Sequence, residues 1–363
     1  MDARMSDLDP NQRRAMLERG VAGVGSAEPS QHRARSTVKP RVTVVLPTYR
    51  RSAYLARAIA AVQAQTLTVW ELIVVDDNDP AHPDRQRTQD QLSAHLHDRR
   101  IDPVLHTSNR GAAAARNTGI RAAQGAWISF LDDDDEWHPT KLERQLARAE
   151  ASPDDVALVY CRTRNHHAVN GRVSDYRAEP EKCTVRDLLR RNHIGGTSCI
   201  MCRASVLRDV GMFDESLASR QDIDLYVRVA AASHAFAFVD DALVTMNLHG
   251  QQRISTNVWA KVAGHRRFFE KHKVLIESDS TALRARLTEM GRCLLAAHEL
   301  IEARRVLSRA WQLEVRDRVV LKRLLLTYPI VRSMRAALRQ LHDQRSDGNA
   351  TRVEHSGAPT ETR

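Results

Sequence analysis

At 363 residues and 42% apolar, the chain is too long for one small core and apolar enough for a soluble globular protein. One domain of about 200–250 residues plus an appendage is expected, and no apolar run of about 18 residues or apolar N-terminal core predicts a transmembrane helix or a secretory signal. The formal net charge of +10 sits in the flanks, because residues 42–255 carry 26 Lys and Arg against 28 Asp and Glu; a nucleic-acid partner is therefore not expected.

Residues 1–40 are polar, show no sustained periodicity and are expected to form a disordered basic arm. Residues 42–46 (VTVVL) are a continuous apolar run stopped by Pro47, the pattern of a strand buried on both faces. Ser52 is placed to cap a helix carrying Leu55, Ile59 and Val62. Residues 72–75 predict a second buried strand, ended by Asp76-Asp77-Asn78-Asp79-Pro80. A polar helix near 85–96 and a short strand near 103–105 follow. Residues 111–123 (GAAAARNTGIRAA) predict an Ala-rich helix with Gly125 beyond its end. Residues 127–131 (WISFL) predict a strand ended by four consecutive aspartates, Asp132, Asp133, Asp134 and Asp135. Strands alternating with helices on short loops imply an α/β fold whose sheet is mainly parallel, with right-handed crossovers.

The second half is more mixed. Pro139 opens a helix carrying Leu142, Leu146 and Ala149. Strands are expected near 157–160, 197–202, 235–239 and 242–248, and helices near 184–191 and 222–232. From about 257 to 342 the pattern is nearly all helical, with Leu283, Leu287, Met290 and Leu294 at helical spacing. The expected organisation is an arm at 1–40, an α/β domain at 41–255, a helical extension at 256–345 and a disordered tail at 346–363. Five cysteines without a disulfide framework suit a reducing cytosol, and Cys199-Ile200-Met201-Cys202 reads as buried thiols.

Two carboxylate clusters fall at the C-terminal ends of strands, the edge where open α/β sheets bind ligands. Four adjacent carboxylates at 132–135 repel one another, and a divalent cation removes that penalty. Along an extended segment Asp132 and Asp134 would share one side, Asp133 and Asp135 the other. Mg²⁺ or Mn²⁺ takes one or two such carboxylates and keeps room for phosphate oxygens. The competing reading is a solvated acidic loop ahead of a helix. Asp76 and Asp77 suit either turn formation or hydrogen bonding to a polar ligand. Asp222 and Asp224 open a helix, where they either cap it or supply a general base. There is no G-x-G-x-x-G, no P-loop and no HExxH.

Residues 42–77, 109–135 and 210–228 (VGMFDESLASRQDIDLYVR) together resemble the family 2 glycosyltransferases, inverting enzymes of the GT-A fold, over about residues 42–250. The resemblance implies that Pro47, Thr48 and Tyr49 lie beside a nucleotide and that Asp77 hydrogen-bonds its base, typically uracil. It puts Arg116 and Asn117 near the same nucleotide. The acidic run matches the family's DxD-type motif: Asp134 would ligate Mn²⁺ or Mg²⁺, with Asp132 beside it, and Asp132 and Asp133 would serve ribose, metal-bound water or diphosphate. Asp222 matches the catalytic base, although Gln221 stands where the family often has Glu. His249 falls where some members place a phosphate- or metal-contacting residue.

The implied activity is metal-dependent, inverting transfer from a nucleotide-sugar, UDP-linked by this reading, to a hydroxyl of a saccharide or lipid-linked acceptor in cell-surface polysaccharide or glycoconjugate synthesis. The expected location is cytoplasmic. Two alternatives stand beside it. A sugar-phosphate nucleotidyltransferase should show a Gly-rich, Arg-containing loop after the first strand, where this chain has LPTYRRS. A non-catalytic protein would use its basic flanks to hold nucleic acid or anionic lipid. Residues 319–341, basic and amphipathic but interrupted by Pro329, suit either peripheral contact with the inner membrane face or packing on the rest of the protein.

Overall fold

In the computed structural model the described residues are 38–167, 171–176, 179, 182–248, 257–328 and 331. The chain divides into two compact units, residues 1–272 and 273–363. The tail at 346–363, most of the arm, and His249 lie outside the described residues.

The first unit is built on one sheet. Its strands are β1 (Val42–Thr48), β2 (Trp70–Asp76), β3 (Ile101–Leu105), β4 (Trp127–Phe130), β5 (Asp135–Trp137), β6 (Val156–His167), β7 (Arg172–Tyr176), β8 (Ile200–Arg203) and β9 (Ala235–Leu248). Their order is β3-β2-β1-β4-β8-β6-β9-β5, with β7 paired to β6. The first four strands are mutually parallel; β8 runs antiparallel to both β4 and β6, and β9 returns parallel to β6. The mainly parallel α/β architecture expected from the sequence is what forms.

The strands β1, β2 and β4 owe their place to apolar runs that must be covered on both faces: Val42, Val44, Val45, Leu46 and residues 72–75 have no exposed surface. Packed on β1 is α1 (Ser52–Gln63), with α2 (Pro83–Ser93) against α1; α3 (Ala112–Ala122) covers β1 and β2, and α4 (Lys141–Glu150) packs on β6 and β9. Further along lie α5 (Val185–Arg190), α6 (Ala204–Asp209), α7 (Gln221–Ala231) and α8 (Val258–Lys271). The second unit contains α9 (Lys273–Glu277), α10 (Ser280–Ala296), α11 (Leu300–Leu313) and α12 (Arg318–Leu325). Asp279 caps α10 by accepting from Thr281 N and Ala282 N, and Asp317 caps α12 in the same way. None of the described helices is long and apolar enough to cross a membrane.

Several local expectations change. β1 runs through Pro47 to Thr48, because β4 pairs only with Val42 to Val45 and the missing N–H of Pro47 falls beyond that ladder. Ser52 does not cap α1: Arg51 is the cap residue, with no side-chain bond to the helix N–H groups, and the Ser52 hydroxyl donates to Asp84. The two strands expected between 235 and 248 are one, β9, whose pairing with β6 shifts register near Cys161 and Arg162.

The approach of α3 to β1 is set by Gly119, where an added Cβ would lie 2.3 Å from Val45 Cγ1. Val45 is fully buried and cannot swing away. Gly119→Ala is therefore expected to destabilise the first unit by about 1–3 kcal/mol, read as a lower urea midpoint at unchanged slope.

Candidate active site

The parallel register sets Thr48 beside Asp76 at the C-terminal edge of β1 and β2, and Asp77 N donates to Thr48 O at 2.9 Å. Asp76 is an internal brace. It is fully buried, accepts from Asn78 N and Nδ2 at 3.0 and 2.7 Å, and pairs with Arg85 at 3.2 Å; burial raises its pKa. Asp77 holds the loop that enters α3, accepting from Arg110 N and Gly111 N, both at 2.8 Å. His106 Nδ1 lies 2.7 Å from the same carboxylate, and its Nε2 lies 2.9 Å from Thr118 Oγ1. Gly111 has φ +86, a conformation that suits glycine and lets this N–H reach Asp77.

The acidic run begins where β4 ends, one strand away. It is a turn closed by Asp135 N on Asp132 O at 3.0 Å, not the extended segment expected from the sequence. The turn regroups the carboxylates: Asp133 and Asp134 meet the same guanidinium nitrogen, Arg51 Nη1, at 3.3 and 2.7 Å. Asp133 also accepts from Thr48 Oγ1 at 3.0 Å, and burial pushes its carboxyl up to about 7, against the pull of Arg51. Asp132 turns away to Arg116 Nη2 at 2.6 Å and Thr197 Oγ1 at 3.4 Å. Tyr49 lies under the guanidinium of Arg50, 4.9 Å from its ring centroid, just past β1.

Beneath the run, Lys141 is fully buried with Nζ donating to Ser129 Oγ and Gln145 Oε1 at 2.9 and 2.8 Å, 3.8 Å from the Trp137 ring centroid. Burial lowers its pKa to about 8. Gln145 Nε2 and Trp137 Nε1 in turn hold the carbonyls of Cys199 and Ser198. This network holds the segment 197–199, and Asp132 N donates to Ser198 Oγ at 3.1 Å, tying the acidic turn to that segment.

Asp222 stands in the first turn of α7, after Arg220, whose φ of +69 bends the chain into the helix. It is partly exposed and accepts from Asn192 Nδ2 at 3.0 Å. Burial of its carboxyl raises the pKa, against the Ile223 N–H and the charges of Arg220 and Arg116. Arg116 joins the two halves of the site: Nη2 binds Asp132, and Nη1 donates to Gln221 Oε1 at 3.2 Å. Asn117, also on α3, is committed elsewhere, with Nδ2 on Phe213 O and Glu215 Oε1 and Oδ1 accepting from Phe213 N.

The structure therefore gathers Thr48, Asp132, Asp133, Asp134, Arg116 and Asp222 around one sheet edge. Asp77 borders the same edge with its carboxylate bonded to the α3 loop. Arg51, Asn192, His106 and Lys141 escaped the sequence reading; Arg51 follows the β1 motif directly and Asn192 precedes Gly195-Gly196, the only local signals of either. Among the described residues no three His, Cys, Asp or Glu side chains form a metal cage of their own. The donor chemistry does fit a hard cation that completes its shell elsewhere: Asp132, Asp133 and Asp134 are hard oxygen donors, and a positive group, Arg51, already bridges two of them.

An open, mainly parallel sheet flanked by helices, with an acidic turn and a helix-borne aspartate at one edge, is an architecture of the GT-A class. Residues 43–211 match the family described as Glycosyl transferase family 2. The chain is 30% identical over 239 residues, 64% of its own length and 82% of the relative's, to the putative colanic acid biosynthesis glycosyl transferase WcaA of Escherichia coli K12. It is 27% identical over 218 residues, 60% of its length and 80% of the relative's, to the Escherichia coli UDP-Glc:alpha-D-GlcNAc-diphosphoundecaprenol beta-1,3-glucosyltransferase WfgD. The fold resembles that of the mannosyltransferase PcManGT from Pyrobaculum calidifontis in complex with GDP-Man and Mn²⁺, with TM-score 0.52, 16% identity, and coverage of 92% of this chain and 95% of that one. The chain belongs to glycosyltransferase family 2 and is a glycosyltransferase. The nucleotidyltransferase alternative is not favoured.

Two residues past Asp222, Asp224 fixes α7 in place. Its buried carboxylate meets Arg228 Nε at 2.9 Å, Lys271 Nζ at 2.9 Å and His272 Nε2 at 2.8 Å, tying α7 to the end of α8. Burial opposes the charge, yet Arg228, His272 and Lys271 hold the carboxyl well below the usual carboxylate range. A depressed folded-state pKa contributes stability above the unfolded value of about 4 and loses it as pH falls. Asp224→Asn should cost about 3–5 kcal/mol by removing the buried anion shared by Arg228 and Lys271, and chemical denaturation at pH 7 measures it.

Proposed function

We propose that the protein is a divalent-metal-dependent, inverting glycosyltransferase of cell-surface polysaccharide assembly. It moves a sugar from a nucleotide-sugar, UDP-linked in this reading, to a hydroxyl of a saccharide or lipid-linked acceptor. The observation that carries the reading is Arg116, whose two nitrogens bind Asp132 of the acidic turn and Gln221 beside Asp222, so that a leaving-group site and a base share one cleft. The names of WcaA and WfgD support a surface-polysaccharide role, and WfgD a UDP donor and a lipid-linked acceptor. PcManGT holds GDP-Man, so the base of the donor is a matter for experiment.

In this mechanism Asp134 would hold Mn²⁺ or Mg²⁺, with Asp132, which the turn sets on Arg116, as the second carboxylate of the sequence reading. A divalent cation bound there supplies neutralisation of the negative charge that develops on the departing diphosphate. Thr48 and Asp133 line the same edge beside Pro47 and Tyr49 and contact the nucleotide side, with Asp77 and Asn117 bordering it through the α3 segment. Asp222 takes the proton of the acceptor hydroxyl as that oxygen bonds to the anomeric carbon, opposite the breaking bond to diphosphate. A single displacement inverts the anomeric centre. Cytoplasmic location, with peripheral contact at the inner membrane face through residues 319–341, belongs to the same proposal; its support among described residues is α12, where Lys322 and Arg323 accompany exposed Val319, Leu321 and Leu325.

Thermal stabilisation by UDP-glucose, UDP-galactose, UDP-N-acetylglucosamine and GDP-mannose, each with Mn²⁺, identifies the donor. With that donor Asp222→Asn is expected to abolish transfer while donor binding persists; unchanged turnover would remove Asp222 from the mechanism. Asp134→Ala is expected to weaken Mn²⁺-dependent binding of the matching nucleoside diphosphate in calorimetry, and equal affinity in both proteins contradicts the metal assignment.

A further inference from the structure

The segment that follows α5, residues 192–196, carries no assigned role, yet it touches the carboxylate on which the proposed mechanism turns. Asn192 Oδ1 accepts from Ile194 N and Gly195 N, both at 3.0 Å, closing a tight side-chain turn. Those two N–H donors fix which end of the amide is oxygen, since a flipped amide would face its own NH₂ toward them. The NH₂ group therefore points the other way, donating to Gly195 O at 2.9 Å and to Asp222 Oδ2 at 3.0 Å. Gly195 has φ +118, which lets its N–H and its carbonyl both meet the one side chain. Tyr226, one turn beyond Asp222 on α7, donates its hydroxyl to the carbonyls of Gly195 and Gly196 at 3.4 and 3.3 Å. The loop and the helix are thus joined at two points, one of which is the carboxylate itself.

We infer that Asn192 is a positioning residue for the base: one end of its amide folds the 192–196 loop, and the other holds Asp222 Oδ2. The inference rests on the reading of Asp222 as the base. An N–H donated to a carboxylate favours its ionised form, which is the form that accepts a proton. It acts together with Arg116 on α3 and Arg220 at the start of α7, both permanently charged. Cys199 and Tyr226 also face Asp222, and burial pushes both upward, so they stay neutral through the range in which Asp222 titrates.

The discriminating variant is Asn192→Asp. It keeps an oxygen for the Ile194 and Gly195 N–H groups, the two bonds that close the turn, but replaces the donor toward Gly195 O and Asp222 by a second carboxylate oxygen. Asn192→Ala removes both ends. Two readouts separate positioning from folding. The first is titration of the Asp222 carboxyl by NMR in protein labelled with ¹³C at aspartate, the resonance being assigned by its loss in Asp222→Asn. The second is the pH profile of kcat with the donor selected by the screen above.

In both Asn192 variants the Asp222 titration should move upward by about one pH unit or more, and the acid limb of kcat should move with it. At neutral pH kcat should fall about 10- to 100-fold while the KM for donor stays near wild type. Asn192→Asp should unfold within a few degrees of the wild type. An unmoved Asp222 titration in both variants overturns the inference, and if Asn192→Asp fails to fold, the titration in Asn192→Ala decides alone. The underlying reading fails separately: an Asp222→Asn enzyme that still turns over removes the base, whatever Asn192 does to its titration.

Discussion

Negative charge brought to one sheet edge is the constraint on which this structure depends. Six aspartates, Asp76, Asp77, Asp132, Asp133, Asp134 and Asp222, lie on or beside the C-terminal tips of β1, β2 and β4, and all but two of them are nearly buried. Carboxylates at that density repel and lose hydration: burial raises the pKa of Asp76, Asp133 and Asp222, and neighbouring carboxylates add to it at Asp76 and Asp133. The fold answers with guanidinium groups set between them: Arg85 on Asp76, Arg51 across Asp133 and Asp134, and Arg116 on Asp132. The planar fork of arginine suits the task, because one group can meet two acceptors in fixed geometry.

That arrangement links charge to function. In the proposed mechanism, carboxylates already held and paired in this way would leave little reorganisation for the moment of reaction. The two arms of Arg116 carry the connection, since one element of α3 answers both to the acidic turn and to the helix bearing Asp222. The helix itself is fixed from behind by Asp224 with Arg228, Lys271 and His272, and from the side by the 192–196 loop. Proton transfer needs such placement more than it needs an unusual residue.

Much of this was legible in the sequence. The runs at 42–46, 72–75 and 127–131 read as buried strands because a strand covered on both faces has no polar alternation to confuse it, and the acids after them mark the edge at which the proposed site lies. The short strands β5 (DEW) and β7 (RVSDY) were not legible, since neither carries an apolar run. Nor was the shape of the acidic run: an extended segment would set Asp132 with Asp134, whereas the observed turn sets Asp133 with Asp134 on Arg51. Partners were the hardest to see. Asp77 meets Arg110 and Gly111 across 33 and 34 residues, and Asn192 meets Asp222 across 30, contacts that only the assembled sheet creates. Gln221 looked like a lost carboxylate in the sequence; in the fold its amide oxygen is what receives Arg116.

The most direct test of the account is a crystal of the protein grown with Mn²⁺ and the matching nucleoside diphosphate, measured at the manganese absorption edge. The account predicts an anomalous peak within about 2–2.5 Å of an Asp134 carboxylate oxygen, shared with the diphosphate and on the same side of the sheet as Asp222. A bound diphosphate with the manganese peak away from the acidic turn, or with Asp222 facing a different surface, contradicts it.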